Sequence, residues 1–129
     1  VNSFHTLFDM GFASPDEFPF SKGWLINEGL HQFQPLPAMV SAATVNTISE
    51  ERQPQSNNKI KAAASIETME GACLHYIALQ HRIPFLQIRG ISNLVGEREK
   101  SHWKIADAIQ SSNQLLTEIY KKWMTNYKA

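Results

Sequence analysis

Residues 64 to 96 read ASIETMEGACLHYIALQHRIPFLQIRGISNLVG, and this stretch decides the fold. Ala64 to Thr68 has the composition and length of a short strand. Pro84 to Ile91 reads as a second strand, and a helix-like run from about Met69 to Arg82 lies between them. Ala72, Cys73, Leu74, Tyr76, Ile77, Ala78 and Leu79 make that helix apolar on most sides, which predicts a buried one. It should stop near Ile83, because the residue before Pro84 is pushed out of helical conformation, and His81 and Arg82 suit the negative end of a helix. Each strand exit carries an unusual polar cluster: Glu67 to Gly71, ETMEG, at the first, and Arg89 to Asn93, RGISN, at the second. Chains built this way bind ligands in the crevice at the carboxyl ends of their strands, so the two clusters are expected to converge on one site.

Working outward, Ala38 to Ile48 (AMVSAATVNTI) is a run of small and β-branched residues bounded by Pro37, as expected of a buried strand. Glu50 to Lys59 has no apolar residue and holds Pro54, which predicts a solvated loop within the domain. From Val1 to Pro37 aromatics are dense, yet Pro15, Pro19, Gly23 and Gly29 interrupt every candidate element, so loop with short pieces is predicted. Those aromatics need a cover, and the first residue is Val1, so further chain on the N-terminal side is expected. After Gly96, Ile105, Ala108, Ile109, Ser112, Leu115, Leu116, Ile119, Tyr120, Trp123 and Tyr127 recur at spacings of three and four, the clearest amphipathic helix in the chain.

With 129 residues and 43% hydrophobic composition, the chain suits one domain. Lys plus Arg and Asp plus Glu both number 12, so no basic footprint of a general nucleic-acid binder is present. A small neutral ligand fits better. Cys73 is the single cysteine, which rules out an intrachain disulfide and suits a reducing, cytoplasmic compartment. No window approaches the roughly 18 uninterrupted apolar residues of a membrane span. His75 and His81 lie about 240° apart around a helix, so they cannot share a metal-binding face, and no metal or cofactor is expected. The run GEREKS ends like a phosphate-binding loop, but Glu99 replaces the glycine required before Lys100.

Glu70 stands at a helix N-terminus, where the helix dipole favours an ionised carboxylate. Such a carboxylate only accepts hydrogen bonds, and its two oxygens match two adjacent sugar hydroxyls. Its plainer reading is a first-turn Glu that merely suits the dipole. Asn93 offers donors and an acceptor to a purine edge, or else serves as a turn residue. Arg89 is either a strand-end cation or an orienting partner for Glu70. Met69 is either core filler or the apolar surface beneath a ribose.

Taken together, ETMEG, the helix after it, the IPFLQIRGISN strand and the long final helix resemble the C-terminal part of the nucleoside phosphorylase and nucleosidase superfamily. Within it, RGISNLVGEREKSHWKI and the Thr-Val-Asn of MVSAATVNTI resemble the futalosine hydrolase family. The resemblance runs from about Leu36 to Tyr127, and Glu70 and Asn93 stand 23 residues apart within it. It implies a three-layer α/β fold on a mixed, twisted sheet, with residues 1–129 forming the C-terminal portion of one domain. The implied activity is hydrolysis of a purine N-glycosidic bond, most simply that of futalosine in menaquinone biosynthesis. By residue, it makes Met69 and Glu70 ribose contacts and Arg89 their support. Ser92 and Asn93 take the base side, with Val45 and Asn46 as wall or backbone contact to the purine; Glu70 and Asn93 are the expected catalytic pair.

Two departures matter. Adenosine-cleaving members carry Asp at the position of Asn93, which points away from adenosine here. The family's first glutamate usually stands two residues before the ribose glutamate, whereas Glu67 stands three before Glu70 and carries little weight. The carboxylate that activates water is implied to lie outside this chain, so no general base is assigned and residues 1–129 alone are expected to be inactive. The expected partner is a small purine nucleoside, with no nucleic acid or membrane, in a homo-oligomer of two or more chains. A phosphorylase, a methylthioadenosine nucleosidase and a non-catalytic nucleoside-binding fragment are the competing readings.

Overall fold

The computed structural model describes residues 5–33, 36, 39–47 and 63–127. The expected loop at Glu50 to Lys59 lies outside the described residues, as do Ala38 and Ile48 at the ends of the expected first strand. Among the described residues there are two small two-stranded sheets and two α-helices whose bounds can be given. Strands β1 (Phe20–Ser21) and β2 (Trp24–Leu25) make an antiparallel hairpin in the register Phe20↔Leu25 and Ser21↔Trp24. Lys22 and Gly23 form its two-residue turn, both at positive φ (50° and 80°), as a turn matching strand twist requires. The hairpin docks through its aromatics: Phe20 meets Phe8 edge-on at 5.1 Å and Tyr76 at 5.7 Å. A 3-10 helix, Glu28–Phe33, follows.

Strands β3 (Ala42–Thr44) and β4 (Ile66–Thr68) run parallel, paired Ala42↔Ile66, Ala43↔Glu67 and Thr44↔Thr68. The ladder extends past β3, where the Val45 N–H donates to the Thr68 carbonyl at 2.8 Å. Helix α1 (Gly71–Gln80) leaves β4, and helix α2 (Ile105–Tyr127) closes the chain. Both predicted helices and both halves of the parallel pair are therefore present, with the strands shorter than their apolar runs.

Two expectations fail. Pro84 to Ile91 forms no strand. Strand geometry is stabilised by a neighbour's ladder, and among the described residues no strand pairs with this segment. It runs irregularly between the helices instead. Phe85 packs edge-on to His75 of α1 at 4.6 Å, while Leu86 and Ile88 share a cleft of about 310 Å³ with Ser112, Asn113 and Leu116 of α2. Helix α1 is also not buried all round. Only Gly71 and Ala78 are buried, and Ile77 is 57% exposed. An all-apolar helix needs cover on both sides, and the described chain covers one.

Helix α1 ends as a Schellman motif. The Arg82 N–H donates to Leu79 O at 3.1 Å and the Ile83 N–H to Ala78 O at 2.9 Å, with Arg82 left-handed at φ 53°. The chain thus leaves the helix two residues before Pro84 forbids it to continue. Among the described residues, Ala43, Val45, Ala78, Ala108 and Ile119 are the buried hydrophobic ones. This core is thin. Among the described side chains of α2, Ala108 and Ile119 are buried, while Ile105, Ile109, Leu116, Tyr120 and Trp123 are exposed. The amphipathic spacing of α2 is real, and its apolar stripe is wider than the surface it meets.

Candidate functional site

The parallel pair places the exits of β3 and β4 side by side. Thr44 and Thr68 are register partners, so their side chains leave the sheet on one face, and their hydroxyls lie 3.1 Å apart. Helix α1 starts directly above them. The Ala72 N–H donates to Thr44 Oγ1 at 2.8 Å and the Gly71 N–H to Thr68 Oγ1 at 3.3 Å. The third N–H of the helix, Cys73, reaches the Glu70 carbonyl at 3.1 Å. A helix begins with unsatisfied N–H groups, and here two strand hydroxyls and one carbonyl take the first three. Gly71 is required by this arrangement: a Cβ there would stand 2.7 Å from Thr68 Oγ1.

This capping settles what Glu70 is not. Glu70 occupies the cap position (φ −124°, ψ −5°), yet its side chain makes no cap hydrogen bond. Among the described residues its carboxylate has no hydrogen-bonding or charged partner, and it is exposed beside Met69, itself 50% exposed. Val45 and Asn46 sit across the same exit. Val45 is buried with its N–H donated to the Thr68 carbonyl, whereas Asn46 is exposed. Four predicted residues, Val45, Asn46, Met69 and Glu70, are thus gathered at one parallel strand end.

Arg89 does not pair with Glu70. Its Nη2 donates to Gln87 Oε1 at 3.0 Å. Gln87 in turn donates through Nε2 to the Gly71 carbonyl at 2.7 Å and to His75 Nδ1 at 2.6 Å. The Gly71 carbonyl can only accept and Arg89 can only donate, so both ends of the Gln87 amide orient it the same way. His75 Nδ1 then has to accept, which makes the ring neutral with its proton on Nε2. Burial lowers the pKa of His75 below its ordinary 6.5, the Gly71 carbonyl opposes this, and the nearby Arg89 charge reinforces it. The link from Arg89 to the first turn of α1 is therefore indirect, because the side chain between them is an amide.

The second exit is held differently. Gly90 lies against the backbone of α2, where a Cβ would overlap the Ala108 carbonyl oxygen and stand 2.6 Å from its carbonyl carbon. The Lys104 N–H, just before α2, donates to the Ser92 carbonyl at 2.7 Å. Half-buried Ser92 and Asn93 bond one another, Ser92 Oγ to Asn93 Oδ1 at 2.6 Å, and Asn93 Nδ2 donates to Leu94 O at 3.0 Å. Among the described residues the second Nδ2 hydrogen of Asn93 has no partner. Among the described residues no hydrogen bond joins Ser92 or Asn93 to Glu70, Val45 or Asn46. The β3 and β4 exits meet, whereas the expected convergence of Glu67 to Gly71 with Arg89 to Asn93 is seen, among the described residues, as the indirect link through Gln87.

Downstream, the phosphate-loop-like run folds onto itself. Glu99 Oε1 accepts from the N–H and hydroxyl of Ser101, and Glu97 Oε1 accepts from the Glu99 N–H at 2.8 Å. That N–H first, and His102 next, hold the Glu97 carboxyl below its ordinary range. Carboxylates occupy the N–H groups that a phosphate would need. The 310 Å³ cleft between residues 86–88 and α2 includes none of the predicted site residues. Cys73, expected within the core, is exposed. Among the described residues no helix is long and apolar enough to cross a membrane, and no three His, Cys, Asp or Glu side chains could share a metal.

Thr44, Thr68, Gln87 and Gly90 were not singled out by residue type, and His75 was weighed only as a metal ligand. Thr44 and Thr68 did carry a signal: each precedes by two residues a polar group at a strand exit, Asn46 and Glu70. Gln87 is the lone polar residue inside an otherwise apolar Pro84 to Ile88 run.

Compared with known proteins, a 46-residue stretch of this chain, 36% of its length, is 39% identical to futalosine hydrolase from Streptomyces coelicolor. The matched stretch is 20% of that protein. No protein family and no solved structure matches the chain. What stands is local: over 46 residues this chain is similar to a futalosine hydrolase.

Proposed function

We propose that this chain carries the ribose- and base-binding part of a purine nucleosidase acting on a futalosine-like 6-oxopurine nucleoside. One observation carries the reading. The helix start that would ordinarily claim the Glu70 side chain is capped by Thr44 and Thr68, which leaves an exposed carboxylate at a parallel strand exit without a structural task. Strand exits of this kind are where α/β folds hold ligands. The local similarity to futalosine hydrolase supports the same reaction class.

In this reading the Glu70 oxygens accept from the two ribose hydroxyls, and Met69 underlies the sugar. The bond between the anomeric carbon and the base breaks as water adds to that carbon. A water proton is lost to solvent or to a base elsewhere, and the departing purine gains one. Glu70 acts most strongly as the sugar becomes cationic, because its negative charge then meets a developing positive one. The remaining N–H of Asn93 donates to N7 or O6 of the base, which the exocyclic amine of adenine would oppose.

The test is release of hypoxanthine from futalosine, and of adenine from a matched nucleoside, by the gene product containing this sequence, with and without phosphate. Phosphate-independent release of hypoxanthine ahead of adenine is expected, with Asn93→Asp shifting the preference toward adenine. A strict phosphate requirement would move the reading to a phosphorylase. Preference for adenine by the unaltered protein would remove Asn93 as the reader of the base.

A further inference from the structure

The Gln87 amide holds three partners, and two of them belong to α1. Its Nε2 hydrogens go to the Gly71 carbonyl and His75 Nδ1, and its Oε1 holds Arg89. We propose that Gln87 is a positioning residue that couples the placement of Arg89 to the ionisation of His75, with neutral His75 holding Arg89 in place and protonated His75 releasing it.

The argument is one of donors and acceptors. Protonation turns His75 Nδ1 from an acceptor into a donor facing the Nε2 donors of Gln87. The Gly71 carbonyl, four residues back on the same helix face, already favours the charged ring and is the acceptor within reach. Once His75 takes it, Gln87 loses both partners on α1. Reversing the amide would let Oε1 accept from protonated Nδ1, but it would also point Oε1 at the Gly71 carbonyl and turn the donor Nε2 toward Arg89. In either arrangement Arg89 loses a fixed acceptor. Phe85, edge-on to His75, limits how far the ring can move away, and Asn27 Nδ2 pins the Phe85 carbonyl at 2.8 Å.

The titratable groups on the elements that meet at His75 and Phe85 are few. Glu70, Cys73 and Tyr76 lie on or at the cap of α1, Arg89 on the segment opposite, and Glu28 and His31 on the 3-10 helix after Asn27. Arg89 is the one whose charge acts on His75, and it favours the neutral ring. The coupling therefore runs both ways: an anionic ligand that draws Arg89 off Gln87 would ease protonation of His75, and protonation would free Arg89 for such a ligand.

What Arg89 serves rests on the proposed function, but the coupling itself does not. Nuclear magnetic resonance on the chain from pH 5 to 8 tests it, following the His75 ring nitrogens, the Gln87 side-chain amide and Arg89 Nε. His75 should titrate with a midpoint below 6.5, and the Gln87 and Arg89 signals should move with that same midpoint. In Gln87→Leu, His75 should still titrate while Arg89 becomes flat with pH. In His75→Phe both Gln87 and Arg89 should become flat; if the backbone spectrum shows that this variant misfolds, His75→Asn supplies a shorter acceptor that does not titrate. Arg89 signals that stay flat in the unaltered chain while His75 titrates would overturn the proposal, as would an unchanged Arg89 response in Gln87→Leu. Inosine that fails to bind at pH 5.5 and at 7.5 counts against the proposed function, while the resonance titration still decides the coupling.

Discussion

The two strand exits differ in what holds them. At the first, the backbone is fixed by a parallel ladder and by Thr44 and Thr68, and the side chain of Glu70, proposed to hold the ribose, takes no part. At the second, no ladder is present among the described residues; Gly90 abuts α2, and Ser92 and Asn93, the side chains proposed to meet the base, themselves make the local bonds. The first separates scaffold from chemistry, and the second merges them. A ligand at Glu70 would find a rigid support with a free acceptor. A ligand at Asn93 would find an amide with one hydrogen left, oriented because the rest of it is already bonded.

The comparison breaks most severely at Gly90. Gly90→Ala puts a methyl group into the backbone of α2 at Ala108, and backbone cannot rotate away as a side chain would. Overpacking of this kind costs about 3 kcal/mol. Denaturant unfolding of the variant should show the loss, with the 84–93 segment displaced from α2. A variant as stable as the parent would mean that Gly90 does not anchor the second exit.

Next in size is the effect of Glu70→Gln on turnover. Losing a charge that stabilises a cationic transition state lowers kcat by roughly 100-fold, or about 2.7 kcal/mol. Steady-state hydrolysis by the whole gene product reads it, and unchanged turnover would take Glu70 out of the site. Thr44→Val follows. It keeps the shape but removes the acceptor for the Ala72 N–H and the partner of Thr68, a cap loss of about 1 kcal/mol. The loss should appear as faster amide exchange in the first turn of α1 and leave the 92–104 turn untouched. Equal effects in both places would deny that the exits are held independently.

How much of this could be read in advance follows from the same contrast. Features set by local pattern were legible: the two strands around Thr44 and Thr68, though not their parallel pairing, the helix after Gly71, the three-and-four spacing of α2, and Glu70 at a helix start. Features set by a distant partner were not. Pro84 to Ile91 has strand composition, but a strand is a relation between two segments, and composition reports one of them. The apolar residues of α1 announced burial, yet Ile77 and Leu74 stay exposed because burial depends on what arrives from elsewhere in the chain. Arg89 and Glu70 were natural partners by charge, and Gln87 intervened as a neutral side chain that charge reasoning ignores.

The smallest expected effect is the sharpest test of the contrast, because it compares stability at Glu70 and Asn93, the two side chains of the proposed site, directly. Asn93→Ala removes the acceptor of Ser92 Oγ and the donor to Leu94 O. Net hydrogen bonds of this kind contribute about 1 kcal/mol, and at a half-buried site water recovers part of it, so a loss of roughly 0.5–1 kcal/mol is expected. Glu70→Gln removes no hydrogen bond, and its change in stability should stay within about 0.5 kcal/mol. Both variants are measured by chemical unfolding under one buffer, so the difference between them is read free of common error. If Glu70→Gln destabilises as much as Asn93→Ala, then the carboxylate has a structural task after all, and the first exit no longer separates scaffold from chemistry. If Asn93→Ala is neutral, its bonds to Ser92 and Leu94 do not orient it. A base-reading role at Asn93 would then require the ligand to do the orienting, at a cost in affinity that the Glu70 side of the site does not bear.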